Sequence, residues 1–386
     1  MSVSKLSSRW GQPPWEIEFT PAVHAIPEKT DIAVVGGGFT GLAAAAWLRL
    51  LAPGKSVAVF EAARIGAGAS GRTGGMALAE TAAGDLPGLG DVLGGFKRIL
   101  QKLNVECDLS LPGAWEIGRT GGLPQSPIEW MDSGTLHVVK EVPGGTLDPG
   151  KLVSGLARAA ETQGAKIFEN APVTRIRWGA SPRIELGGSG ADTRVIAAEK
   201  ILLATNALSL GLTGLSEDAH PRLTMATLTA PLTEHELQAA GLAARKPFYT
   251  ADLPYLWGRV RRDNSIVWGA GLVSAPDEKN VAEADISGAE AAQMFASLEK
   301  RVRGLHPAFR SVKFTHRWGG PILFRDDWMP VFDFHPACKN AIVLGAYAGH
   351  GVALSSYLAA WAAEILLGKR ALPAWGALAP EGRAGA

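Results

Sequence analysis

At 386 residues the chain is long enough for two sizeable cores or one domain with a large insertion, and 47% apolar against 19% charged residues excludes a disordered chain. A formal net charge of +1 offers no long-range field for nucleic acid or an anionic membrane surface. Two cysteines, Cys107 and Cys338, exclude a disulfide framework. The polar start containing Pro13-Pro14 has no apolar signal core, and the apolar segment Leu354 to Leu367 is short for a bilayer and carries Glu364, so the expected location is cytoplasmic.

Residues 1–30 hold Trp10, Trp15 and several prolines without a period, an irregular arm whose aromatics are expected to pack on the body. Asp31 to Val35, the glycines after it, the alanine-rich Gly41 to Leu50 and the apolar Val57 to Phe60 then read as strand, turn, helix and strand. A helix is predicted over Asp148 to Gln163, followed by strands at Lys166–Phe168, Val173–Trp178, Arg183–Leu186 and Lys200–Ala204. Arg222–Pro231, Tyr255–Arg261 and Ser265–Leu272 read as further strands, with a helix near Gly288–Arg303. Ala341–Leu344 and Gly351–Leu367 make a last strand and helix. Arg259, Arg261 and Arg262 are expected at solvated strand ends, and Arg325, Asp326 and Asp327 in a surface turn or at the pocket mouth.

Gly36, Gly38 and Gly41 complete G-x-G-x-x-G between a strand and a helix, and the segment includes Phe39 and Thr40. The glycines permit a tight turn, close approach of a pyrophosphate and close helix–strand packing, and the helix N-terminus supplies N–H groups and a positive dipole end. Glu61 ends the second strand, where a carboxylate accepts from ribose hydroxyls. Small residues dominate from Ala62 to Met76: Arg64, Gly68, Ala69, Ser70, Arg72, Thr73, Gly74 and Gly75 leave backbone N–H groups and a few polar side chains over an extended ligand.

With this block the sequence resembles the FAD-dependent amine and D-amino-acid oxidase superfamily, and among it members like γ-glutamylputrescine oxidoreductase, which share the pattern at Gly68–Gly75. Trp318-Gly319-Gly320 and Gly345 to Val352 resemble that group's later motifs, and Ala353 follows the second of them. The resemblance implies an α/β fold with a glutathione-reductase-like, Rossmann-type FAD domain (31–90, 146–214, 318–372) and an α+β substrate domain with an antiparallel sheet (91–145, 215–317), then a tail (373–386). It implies that FAD is held non-covalently, with Val173 at the adenine, Thr205, Asn206 and Ala207 near phosphates and ribose, and Gly345, Gly349, His350, Gly351, Val352 and Ala353 at the flavin ring.

Departures from the family pattern bear on substrate. Glycine stands in Trp318-Gly319-Gly320-Pro321 where amino-acid oxidases carry an arginine for the substrate carboxylate, and Ala353 and Val267 stand where sarcosine oxidases carry lysines. The implied reaction is oxidation of the C–N bond of a small amine, with O2 or another electron acceptor downstream. Alternatives are an amino-acid oxidase or dehydrogenase with another carboxylate anchor, or a flavin-binding protein without turnover. A tRNA-modifying member would need a basic face, which the charge balance opposes. His350, Tyr255 and Trp268 are the catalytic candidates, with Tyr249 and Trp257 completing a possible aromatic cage for a cation. No metal-ligand spacing is present in the sequence.

Overall fold

The computed structural model describes residues 9–187, 193–273, 281 and 283–376. After the arm, the chain forms β1 (Lys29–Val35), α1 (Phe39–Leu51) and β2 (Val57–Phe60), then β3 (Met76–Leu78), α2 (Val92–Lys102), β4 (Ala114–Gly118), β5 (Trp130–Met131), β6 (Thr135–Val142) and β7 (Gly144–Thr146). It returns through α3 (Pro149–Thr162) to β8 (Lys166–Phe168), β9 (Val173–Arg177), β10 (Arg183–Leu186), β11 (Arg194–Leu203) and α4 (Leu210–Thr213). A second excursion contains β12 (His220–Thr229), α5 (Glu234–Ala239), β13 (Phe248–Thr250), β14 (Trp257–Val260), β15 (Ile266–Val273), α6 (Ala289–Leu305) and β16 (Phe314–Phe324). The described chain closes with β17 (Val331–His335), β18 (Cys338–Gly345) and α7 (Gly351–Leu366).

One sheet runs β17-β18-β11-β1-β2-β8, with the antiparallel pair β10 and β9 attached to β11. β1 lies between β11 and β2, parallel to both, so its carboxyl end is where the chain departs to opposite sides and where ligands of such sheets sit. Helices α1, α2, α3 and α7 cover one face. Ala43 to Ala46 of α1 are almost wholly buried, and their small side chains let the helix lie close to α3 and α7. α3 starts where expected, because the Asp148 side chain accepts from the Lys151 N–H (2.9 Å) and Pro149 occupies the first turn.

The second sheet runs β16-β12-β15-β14-β13-β4-β6-β5 and is antiparallel except at β13 and β4. Two segments lie elsewhere than the sequence placed them. α2 belongs to the helix layer of the first sheet, because its apolar stripe of Val92, Phe96, Ile99 and Leu100 packs there and Tyr357 of α7 lies over Gly95. β16, with Trp318-Gly319-Gly320, belongs to the second sheet, since it pairs with β12 from Phe314 to Phe324. Among the described residues no helix is long and apolar enough to cross a membrane.

Candidate active site

A cavity of about 1500 Å³ lies between the carboxyl end of β1 and the second sheet. It exceeds the roughly 300–1,000 Å³ usual for one small ligand. At one end it is lined by Gly36, Gly38, Phe39, Thr40, Glu61, Ala62, Gly68, Ala69, Ser70, Val173, Thr205 and Asn206. Further along come Arg72, Thr73, Gly74, Met76, Tyr255, Gly349, His350, Gly351 and Val352. The other candidates stand behind the wall or away from it. Gly41, Gly75, Ala207, Gly345 and Ala353 are packed beneath it, and Arg64 is exposed outside it.

Trp268 does not reach the cavity. Strand alternation turns it to the opposite face of the second sheet, where it packs with Trp130, Phe248 and Phe309. Tyr249 is likewise behind the wall, its hydroxyl donating to Glu80 Oε1 at 2.9 Å. Tyr255 and Trp257 therefore remain as the cage aromatics that line the cavity.

At the β1 end the turn is held by its own side chains. The Glu61 carboxylate accepts from the N–H groups of Gly37 (2.7 Å) and Ala63 (2.9 Å), and burial holds its carboxyl above the usual carboxylate range. Ser70 Oγ accepts from the Phe39 N–H at 2.9 Å, tying the small-residue block to the start of α1. Asn206 Oδ1 accepts from the Ala346 N–H (3.0 Å), which braces a turn where Ala346 and Ala348 have φ of 54° and 48°. Such left-handed alanines cost on the order of 1–3 kcal/mol each, so the surrounding contacts must enforce them. Thr40 Oγ1 and the Tyr347 hydroxyl stand 2.9 Å apart across α1 and that turn.

At the other end, Trp257 occupies a slot between two glycines. A Cβ on Gly74 would lie 2.1 Å from its indole and one on Gly269 2.0 Å. Both glycines thus make room for an aromatic wall of the cavity. Arg259, expected at a solvated strand end, is buried: its Nε donates to the Gly74 carbonyl and its guanidinium faces the Trp15 ring at 5.9 Å. Arg72 is also buried, with Nη1 donating to the carbonyls of Trp10 (3.2 Å), Gly11 (2.8 Å) and Gly319 (3.1 Å). Burial alone lowers Arg72 to about 10, and burial is also the main cause that lowers Arg259 to about 10.

Sequence reasoning missed two walls. Trp10 of the arm lines the cavity and is fully buried, and Trp15 beneath it donates from Nε1 to the Gly71 carbonyl (2.7 Å). One face of α6 contributes Glu290, Gln293, Met294, Ser297, Leu298 and Arg301, a spacing of three and four that a polar helix face shares with an ordinary solvated one. Arg301 is engaged: Nε and Nη2 donate to Asp132 Oδ2 (3.1 and 2.6 Å), Nη2 to the Pro254 carbonyl (2.7 Å) and Nη1 to that of Tyr255 (3.1 Å). Arg325 pairs with Asp327 at 2.9 Å in the turn before Trp328.

A model of the family described as FAD dependent oxidoreductase (DAO) matches residues 31–365. The chain belongs to that family. It is 26% identical over 385 residues to the γ-glutamylputrescine oxidoreductase of Escherichia coli, covering 88% of this chain and 84% of that one. Its identity to the probable oxidoreductase OrdL of Rhizobium meliloti is also 26%, over 387 residues and the same shares. Glycine oxidase from Bacillus cereus shares the fold at TM-score 0.67 and 17% identity, over 90% of this chain and all of that one. L-amino acid deaminase from Proteus myxofaciens does so at TM-score 0.69 and 15% identity, over 95% of each chain. The protein is accordingly an FAD-dependent oxidoreductase.

The residues present fit FAD. Thr205 Oγ1 and Ser355 Oγ line the cavity and are buried without a hydrogen-bond partner among the described residues, which a polar ligand would supply. Gly36, at φ 109°, brings its missing side chain against the Ala204 carbonyl and leaves the turn open toward the cavity.

Proposed function

We propose that this DAO-family protein oxidises the C–N bond of a small amine, with FAD held non-covalently and O2 or another acceptor taking the electrons. The observation that carries the amine reading is the fate of the lining cations. Among the described residues these are Arg72 and Arg301, and both guanidinium groups are already bonded, one to backbone carbonyls and one to Asp132 and two carbonyls. A substrate carboxylate would have to break one of these buried pairings, at a cost of several kcal/mol. A cation instead meets the aromatic faces of Tyr255 and Trp257. The E. coli relative is named for γ-glutamylputrescine, which carries a terminal amine at the end away from its glutamyl carboxylate.

With FAD bound, Glu61 would accept from the ribose, Gly36 to Thr40 and the α1 N-terminus would hold the phosphates, and Thr205 and Asn206 would flank them. Gly349 to Val352 and the α7 N-terminus would hold the pyrimidine side of the ring, where a positive dipole end would oppose developing negative charge. The cofactor supplies hydride acceptance at flavin N5 from the carbon beside nitrogen, and the imine so formed hydrolyses to an aldehyde or keto product. An amine must first shed its ammonium proton to release a lone pair. His350 serves here: burial holds it below the usual histidine value, hence neutral, and its Nδ1 stands 3.3 Å from the Ala348 carbonyl. A carbonyl only accepts, so Nδ1 carries the proton and Nε2 is left to take one.

The test is anaerobic titration of the FAD-loaded protein with polyamines, N-methylamines and α-amino acids. Bleaching of the flavin by amines and not by amino acids is expected, and the rate of return in air reports whether O2 is the acceptor. Bleaching by α-amino acids alone overturns the amine reading and points to Arg301 releasing Asp132 for a carboxylate. A flavin that nothing bleaches overturns turnover itself.

A further inference from the structure

Trp328 lines the cavity in a backbone conformation that costs the fold. Its φ of 61° lies in the left-handed region, where a bulky side chain is a rare outlier and the surroundings must enforce the strain. They do so closely: the Trp328 N–H donates to the Arg325 carbonyl (3.0 Å), Asp327 pairs with Arg325 at 2.9 Å, and Asp327 Oδ1 accepts from the Met329 N–H (3.0 Å). Glycine would take the same turn without strain. Burial offsets little of the cost. The residue is 52% exposed, and its ring contact among the described residues is an edge-on pair with Phe324 at 5.2 Å.

The mount of this indole is fixed to the turn that leads to His350, because the Leu323 carbonyl of β16 accepts from the Ala348 N–H at 3.1 Å. Of the eight large apolar side chains exposed among the described residues, three line this one cavity: Leu253, Tyr255 and Trp328. A single exposed apolar side chain is ordinary. Three on one cavity, one of them held there against strain, form a rim that is stabilised when a ligand covers it. The lining as a whole is mainly apolar, so the ligand group that suits the rim is apolar as well.

We propose that Trp328 is a specificity-determining residue of this site: its indole receives an apolar substituent, an alkyl chain or an aryl ring, that extends from the reacting carbon of the amine to the cavity mouth. The proposal rests on the amine reading above. It places the substrate among amines with a sizeable apolar tail rather than among those of methylamine size.

Primary n-alkylamines from propylamine to octylamine form the probe series. Each is titrated anaerobically into FAD-loaded protein, and bleaching against concentration gives a dissociation constant. Affinity is expected to rise about fourfold per added methylene over the stretch that reaches the rim. In Trp328→Gly that rise is expected to flatten to less than about twofold per methylene. The same variant should keep its FAD content and a urea midpoint level with wild type or higher, because glycine relieves the strain. Trp328→Phe keeps an aromatic face and part of the rise. A rise left unchanged in Trp328→Gly overturns the proposal. So does a Trp328→Gly protein that loses FAD or unfolds at lower urea, since the indole would then serve the cofactor or the fold. Diamines that bind more tightly than monoamines of equal length overturn it too, and assign the rim to a second ammonium. Short and long amines that bleach wild-type protein with equal affinity overturn this proposal and leave the amine reading standing, whereas a flavin that no amine bleaches brings down both.

Discussion

Replacing Trp15 by alanine asks whether the N-terminal arm is part of the site. Its indole is 7% exposed, meets Trp318 edge-on at 5.4 Å between centroids, and donates to the Gly71 carbonyl at 2.7 Å. The edge-to-face pair is worth about 0.5–1.5 kcal/mol beyond its burial. Leaving the Gly71 carbonyl without its donor costs about 1–3 kcal/mol. These contributions and the cavity left behind overlap, so the expected loss is about 3–5 kcal/mol, the range for a buried tryptophan truncated to alanine. Urea unfolding of FAD-free protein followed by far-ultraviolet circular dichroism reads it as a lower midpoint with an unchanged slope. Trp15→Phe keeps the aromatic contact and loses the donor, so it should fall between. Gly71 sits in the small-residue block, and loosening it is expected to weaken FAD binding at least about tenfold, equivalent to ~1.4 kcal/mol. A Trp15→Ala protein within about 1 kcal/mol of wild type that still holds FAD normally would refute the reasoning, because a docked tryptophan cannot be lost so cheaply.

Gly41→Ala places a Cβ 2.0 Å from the Gly36 carbonyl oxygen, which backbone must move to accommodate. The purified variant is expected to lack bound flavin, and a fully yellow protein would contradict the assigned turn. Thr205→Val removes a buried hydroxyl that has no protein partner among the described residues, so FAD-free stability should change by less than about 1 kcal/mol while FAD affinity falls about tenfold; equilibrium dialysis and urea titration separate the two. Burial holds His335 and His350 below the usual histidine value. Between those lowered values and pH ~6.5 the unfolded chain binds protons that the folded one does not, so stability is full above pH ~6.5 and declines as pH falls below it. The slope is at most about 1.4 kcal/mol per pH unit for each histidine, and flat urea midpoints from pH ~7.5 to ~5.5 would count against it.

The βαβ unit, Glu61 and the glycine turn before α7 were legible because each is local: a handful of adjacent residues must adopt one backbone shape, and their types allow little else. Trp268 shows where locality ends. Val267 and Trp268 are both wholly buried, so apolar character cannot say which of them turns to the Trp15 and Trp257 side of the sheet. Packing decides it, by seating Trp268 among Trp130, Phe248 and Phe309. Arg259 fails for the opposite reason, since a cation in a strand reads as exposed until the carbonyl of Gly74 and the ring of Trp15, far off in the chain, are brought to it.

By itself the sequence determined that a dinucleotide-type turn exists and that its second strand ends in a carboxylate. Only the tertiary structure decided that β16 joins the second sheet, that Trp10 and one face of α6 wall the cavity, and that Arg72 and Arg301 are already bonded. The physical reason is that backbone shape follows from neighbours in sequence. Burial, pairing and charge compensation depend on groups separated by tens to hundreds of residues, such as Trp15 and Trp318, which only packing brings together.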